Sequence, residues 1–592
     1  MLASFTFVMV GAEETKLTIN VEEAGSLPSL ITEDQINRVT DLTLTGKLNS
    51  TDIKLVRRMA GLDEYGEPVN GNSLQNLDFS GADIVSGGEP YYYTNTTSDN
   101  IIGDSFFENA TQLKSVKIST SAIGIEWLAF SGCSGLTDFV IPDKVDYLDQ
   151  AAFGGCSSLE TVTFGNALTT VDGYAFKECT ALKEVVLPES LKTLGEFAFY
   201  DCTSLKSAYV PSAIDEIGQF SFSGCSSLDD LKISDGVKTI GNSAFAECTS
   251  LQSLVVPNSV TEILESAFDG CTALTSLTLP DNITEISEGM LSNCSSLQTV
   301  KIPKSVSKIG ESAFLYDENL LSLDIPDAVT EIGEDAFFDC EKMTNITLGS
   351  SLQTIGEDAF KFCEALENIN VSDENNTYTS VDGVLYDKGI TTLLFLPSAN
   401  TEEYTVPSTV KELPSNCAIT NMKLRKVVIS DNVETIGDNA FQTCTNLESV
   451  TIGSGVAEVG EDVFFMDENL KEIHSRTSVP LNINKYFFWD VDYDNCKLYV
   501  PKGSLQAYSE AEVWKDFKFI EEEATTQISS VTSIQDKLII NGKPVCNYSG
   551  GEFSVVDTTG KLIYQGCNSS INIASHGLYI VMDGDKVIKV NI

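Results

Sequence analysis

Seven phenylalanines, Phe130, Phe153, Phe176, Phe199, Phe222, Phe245 and Phe268, follow one another every 23 residues without a slip. A period of that size signals one coil per repeat, stacked into a solenoid. The same phase holds from Phe107 to Phe360, with Leu291 as a substitute, and resumes at Ala418, Phe441 and Phe464. A chain of 592 residues is too long for one ordinary globular core. A solenoid escapes that limit, because each coil buries its apolar edge against the next.

One instance, Leu182 to Cys202, gives the logic of a coil. Leu182, Val185 and Leu187 belong to a short strand, whose alternation turns Val185 and Leu187 inward and leaves Glu184 and Val186 on the outer surface. Pro188 cannot donate to a ladder and ends the strand. A second extended piece follows at Leu191 to Leu194, Gly195 is read as a tight bend, and Ala198 with Phe199 fills the centre. One strand per coil predicts a continuous sheet along the array. The fold class is mainly β: a solenoid of 23-residue coils followed by a small C-terminal antiparallel β-sandwich.

The organisation follows from where the period starts and stops. Residues 1–12 are apolar and end in small residues, as in a secretory signal peptide, though without its basic leading region. Residues 13–100 form an N-terminal cap, with a strand near Thr40 and an amphipathic helix from Ser50. The array spans 101–474, interrupted near 375–406 by alternating segments around Asp387-Lys-Gly that predict a β-hairpin extending one coil. Residues 475–520 close the other end with Trp514 and Phe517, 521–530 read as a polar linker, and 531–592 as the sandwich. Tyr91-Tyr-Tyr and Tyr486-Phe-Phe-Trp489 look like exposed aromatic clusters, the latter serving mainly as capping core.

Composition narrows the function. With 37 basic against 86 acidic residues the net charge is −49, which repels phosphate backbones and excludes nucleic acid as a partner. No stretch is long and apolar enough for a transmembrane segment. The chain has 15 cysteines, and ten of them, from Cys133 to Cys294 and then Cys340 and Cys363, share one phase that Cys444 rejoins. Side chains in one phase stack about 4.8 Å apart and parallel, a poor geometry for disulfides, so a ladder of buried reduced thiols is expected.

Catalytic, cofactor and metal sites are not expected. Only two histidines, His474 and His576, are available as bases, and neither has a recognisable partner set. The cysteines lack zinc spacing, and Asp490-Val-Asp-Tyr-Asp-Asn lacks the glycine and closing glutamate of a calcium loop. A hydrolase using paired carboxylates is the weakest alternative. The surface to which every repeat contributes is the outer sheet face, and its candidate binding residues are Ser207, Tyr209, Asp230, Lys232, Ser253, Thr278, Thr299, Lys301, Asp324, Asn345 and Thr347.

The recurring Leu-x-x-Val-x-Leu-Pro-x-x-Leu-x-x-Leu-Gly-x-x-Ala-Phe-x-x-Cys, over residues 74 to 520, resembles the BspA-like leucine-rich repeat proteins of anaerobic Bacteroidetes and some protists. That resemblance implies a secreted or cell-surface protein that adheres to host matrix proteins, epithelial surface or other bacteria. A glycan-capturing accessory protein of a nutrient-uptake system is the alternative. Phe553-Ser-Val-Val-Asp-Thr-Thr-Gly-Lys-Leu-Ile-Tyr, with Gly577-Leu-Tyr-Ile-Val and Lys586-Val-Ile-Lys-Val, resembles the C-terminal sorting domains of the type IX secretion route.

Overall fold

The computed structural model describes residues 15–523 together with the backbone of Val8–Met9 and of seven strands between Lys537 and Asn591. It divides into two units, Met1–Glu522 and Glu523–Ile592.

In the first unit, most coils carry a front strand, a short back strand and a turn. Glu184–Val186 and Thr193–Leu194 are the two strands of the coil that ends at Cys202. Successive coils pair in parallel and in register, as in Ser207↔Asp230 and Tyr209↔Lys232 at the front and Ile217↔Ile240 at the back. Val185, Leu187, Leu191, Ala198, Phe199 and Cys202 are all buried. Phe153, Phe176 and Phe199 stack face to face, with ring centroids 5.1 and 5.2 Å apart.

The turn is a ladder of its own. The N–H groups of Phe197, Phe199 and Asp201 donate to the carbonyls of Gln219, Ser221 and Ser223 in the next coil. Phe197 and Asp201 both adopt left-handed backbone conformations, and the same two positions do so in almost every coil. Glycine leads one of these columns only intermittently; Glu178, Tyr316, Phe362 and Met466 also occupy it. Gly195 itself has no positive φ, so the expectation of a bend requiring glycine is corrected. A Cβ there would lie 2.4 Å from the backbone nitrogen of Gly173 in the preceding coil. At Gly195 the close backbone of the preceding coil, rather than a special conformation, leaves no room for a Cβ without a shift, while Asp172, Leu264 and Ser287 hold the same position in other coils.

The thiols form the expected column, and each has a partner. The Cys156 Sγ donates to the Phe130 carbonyl at 3.2 Å, a carbonyl that also accepts the Cys133 N–H of its own coil. The relation repeats from Cys133 to Cys294 and at Cys340, Cys363 and Cys444. All thirteen described cysteines are free and buried. Asp317 and Asp467 take the same position in their coils and are fully buried. The Asp317 Oδ1 accepts the Cys294 N–H at 2.8 Å, while its Oδ2 and both oxygens of Asp467 have no hydrogen-bond partner. Burial pushes both carboxyls well above the usual carboxylate range.

The front sheet is not continuous, contrary to the one-strand-per-coil expectation. A ten-stranded sheet runs from Val8–Met9 to Asp230–Ile233 and is followed by shorter sheets of two, three and six strands. Thr299 and Lys301 lie outside any strand. The interruption near 375–406 is a three-stranded meander rather than a hairpin: Tyr378–Val381, Val384–Asp387 and Leu393–Phe395 pair antiparallel. Its first turn is Asp382-Gly383, both left-handed, the pair that a two-residue hairpin turn favours. Beside it the Phe360 ring meets Phe395 at 5.9 Å, and a cavity of about 350 Å³ opens where the phenylalanine column stops.

At the N-terminal end, Thr15–Val21, Val39–Leu48 and Asn76–Ile84 extend the front sheet, and helix Ser50–Met59 covers the first coil. The helix is capped by Asn49, with Asp52 closing a capping box. The first coil has no predecessor to donate to its turn carbonyls, and side chains take over. The Arg57 Nη1 donates to the Phe106 carbonyl at 2.9 Å, and the Tyr91 hydroxyl to the Asp104 carbonyl at 2.7 Å. Phe106 and Asp104 are the equivalents of Ala129 and Trp127, whose carbonyls accept from the first coil. Tyr91 is therefore buried, and Tyr92 packs under the Arg57 guanidinium at 4.8 Å; of the three tyrosines only Tyr93 is well exposed.

At the other end Phe487, Phe488, Trp514 and Phe517 are buried, whereas Tyr486 and Trp489 remain exposed. Strand Phe519–Glu522 pairs with Lys497–Val500, so ordered sheet runs into the stretch read as a linker from 521.

In the second unit, Phe553–Asp557, Leu562–Gly566, Leu578–Asp583 and Lys586–Asn591 form an antiparallel sheet. Lys537–Ile540 pairs antiparallel with Lys543–Asn547 but parallel with Ser570–Ile571, a departure from an all-antiparallel arrangement. The connecting residues and His576 lie outside the described residues, as do 1–7 and 10–12 of the leader-like stretch; Val8–Met9 pairs antiparallel with Thr15–Val21.

Candidate binding face

Alternation along each front strand decides what faces outward. In Ser253–Val255 the middle residue, Leu254, is buried, while Ser253 and Val255 project. All eleven candidate residues lie on the outer side, exposed or half-buried. They do not form one sheet. Ser207, Tyr209, Asp230 and Lys232 share the ten-stranded sheet, Ser253 and Thr278 sit on a separate pair, and Asp324, Asn345 and Thr347 on a third sheet. Thr299 and Lys301 project from irregular backbone.

The polar contacts on this face are mostly local. Lys232 Nζ lies 3.4 Å from Asp230, both well exposed, a pair that contributes about 0–1 kcal/mol. Tyr209 donates to Glu189 at 2.6 Å and accepts from Ser234, which fixes its ring across the sheet. Asn368 Nδ2 donates to the Asn345 amide oxygen at 3.1 Å, continuing a polar row. His474 stacks on Tyr499, with centroids 4.6 Å apart, in the last coils.

The more informative part of the face lies before Ser207. Val140, Thr163, Val186 and Tyr209 occupy one outward column of the ten-stranded sheet, and Val140 and Val186 are 58% and 55% exposed. Val255 repeats the pattern at 68%. Beside Val140 a cleft of about 620 Å³ is lined by Lys117, Thr120, Asp138, Lys144 and Thr163 among others. The candidate set omitted this region, although extending the phase of Tyr209 backward by whole periods reaches Val186 and Val140. Among the described residues, no group of three or more metal-ligating side chains converges, and no helix is long and apolar enough to cross a membrane.

A parallel-stranded solenoid with an outward strand column, an aromatic core stack and coils of one length defines a leucine-rich repeat protein. The family model for the BspA-type leucine-rich repeat region matches residues 100–228, 192–321, 308–382 and 388–498, and the chain belongs to that family. Solved structures with a similar architecture include a leucine-rich repeat protein from Bacteroides ovatus, at 19% identity, 85% coverage of this chain, 99% of that chain and a TM-score of 0.48. A leucine-rich cell surface protein from Faecalibacterium prausnitzii matches at 25% identity, with 58% and 88% coverage and a TM-score of 0.42. A leucine-rich repeat protein from Eubacterium ventriosum matches at 24%, with 51% and 67% coverage and a TM-score of 0.31. No curated protein matched significantly.

Proposed function

We propose that the chain is an exported, cell-surface binding protein that adheres to host matrix proteins, epithelial surface or neighbouring bacteria through the front face of its first sheet. The observation that carries this reading is the column Val140, Thr163, Val186 and Tyr209, β-branched and aromatic groups held in water at strand spacing beside a cleft. Apolar groups so exposed have free energy to gain from a partner. The flanking Asp138, Glu184 and Asp230 favour a partner that brings basic or polar groups to the rim. Membership of a family rich in surface proteins supports the location, and the C-terminal unit is read as the element that delivers the chain there.

The full chain is expected to bind saturably to at least one of immobilised fibronectin, fibrinogen and mucin. A Val140→Lys/Val186→Lys double variant should weaken that binding at least about tenfold, the size expected when a central apolar anchor is lost. Both positions are exposed, so the melting temperature should stay close to that of the parent. Absence of saturable binding to all three, or binding indifferent to the double variant, would overturn the proposal.

A further inference from the structure

A second surface lies on the turns. The left-handed position two residues before the core phenylalanine is half-buried in the coils from Leu128 onward that carry that phenylalanine, and three consecutive coils place rings there. Tyr174 and Phe197 stack at 4.8 Å with their planes 8° apart, and Phe197 and Phe220 at 4.8 Å and 15°. Tyr200 meets Phe197 edge-on at 5.4 Å. In the coil before Tyr174 the ladder stops, because its next position is Ala151. The outer face of the Tyr174 ring is left without the neighbour that Phe197 and Phe220 have.

The same coil is stripped of side chains where it borders this vacancy. Gly154 and Gly155 stand where the next coil carries Lys177 and Glu178 and the one after Tyr200 and Asp201. Gly154 has no positive φ, and a Cβ there would meet nothing closer than 3.5 Å, so neither conformation nor packing calls for glycine. The result is a cleft of about 540 Å³, floored by Ala151, Gly154 and Gly155 and walled by Tyr174 and Trp127, which is 47% exposed. Ala151 lies between Leu128 and Tyr174, equivalent positions two coils apart and about 9.6 Å from each other, which leaves room for one ring against Tyr174 at stacking distance.

We propose that this cleft binds a pyranose ring of a neutral oligosaccharide, which takes the rung that Ala151 leaves empty. The rim decides between a sugar and a partner's aromatic side chain. Gln150, Lys177 and Glu178 present donors and acceptors together, and the Ser131 hydroxyl, which donates to the Gly154 carbonyl at 3.1 Å, can still accept. Lys177 and Glu178 pair with each other at 3.1 Å and stay partly exposed, so sugar hydroxyls, which both donate and accept, can add to that pair and to Gln150, whereas a phenyl ring offers them nothing. The C–H face of a pyranose is apolar and suits the Tyr174 ring. Glu178 and the chain's net charge of −49 disfavour acidic sugars.

Trp127 is the reporter. Trp514 is buried, so a Trp489→Phe background leaves Trp127 as the exposed indole. Titrating the full chain with maltohexaose, cellohexaose and mannohexaose should give a saturable fluorescence change with at least one of them. Ala151→Phe should abolish it, since phenylalanine is already accommodated at the same left-handed position in Phe197 and Phe220. Gly154→Tyr, which copies Tyr200, provides a second block should the first variant fail to fold, and Tyr174→Ala should weaken binding at least about tenfold. No saturable change with any hexasaccharide, or a change that both blocking variants leave intact, overturns the proposal. Equal binding of acetyl-tyrosine amide that Ala151→Phe removes overturns the sugar assignment. Val140→Lys/Val186→Lys lies on the other face and should leave this titration unchanged, which separates the two sites.

Discussion

Glycine serves two different purposes along this array, and single substitutions tell them apart. Gly333 repeats the situation of Gly195: a Cβ would fall 2.4 Å from the backbone nitrogen of Glu311, where no flexible side chain can give way. Gly333→Ala is expected to cost about 1–3 kcal/mol in urea unfolding, while Gly154→Ala should change stability by less than about 0.5 kcal/mol. The thiol column offers a test in the opposite direction. Asp317 holds its proton in the folded chain because burial penalises the charged form, whereas the unfolded chain releases it above about pH 4. Stability from this group is thus present at low pH and lost as pH rises toward neutrality. Asp317→Cys should restore the thiol-to-carbonyl bond, and for a carboxyl that keeps its proton in the folded chain the gain at pH 7 should exceed the gain at pH 4 by up to about 4 kcal/mol. Equal gains at both pH values would contradict a protonated Asp317.

Among the elements, the N-terminal cap carries the sharpest energetic expectation. Arg57 is fully buried, and its Nη1 supplies the donor that a preceding coil would have supplied. Arg57→Met keeps most of the apolar volume but strands the Phe106 carbonyl, so a loss of about 1–3 kcal/mol is expected, read as a lower urea midpoint with an unchanged slope. Such a role was not legible in the sequence, where Arg57 reads only as part of an amphipathic helix. Repeat length, inward residues and the thiol column were legible because each is a statement about period. Three other features depend on what touches what. The Asp382-Gly383 turn was signalled by its dipeptide but overshadowed by Asp387-Lys-Gly, and the clearance at Gly154 appears only when neighbouring coils are superimposed. Thr299 to Ile302 favours a strand as much as its neighbours do, and nothing in its composition explains the break there.

For the whole array, the thiol column predicts chemical silence. Burial pushes the Cys271 and Cys417 thiols up to about 12, and the other described thiols with resolved shifts also rise. Since thiolate is the reactive form, the thirteen described cysteines should resist maleimide at pH 8 in the folded chain and react together once urea unfolds the array. Piecemeal labelling below the unfolding transition would show that coils open independently.

The turn ladder also has a direction. Its N–H groups all point toward the following coil, so one end of the column is a row of bare acceptors and the other a row of donors. The lid over the first coil must therefore be made of donors, as Arg57 and Tyr91 are, and could not close the opposite end. Gene duplication or loss that respects whole coils leaves both lids facing the chemistry they were built for. Length can drift freely in this architecture, while polarity is fixed by its first and last turns.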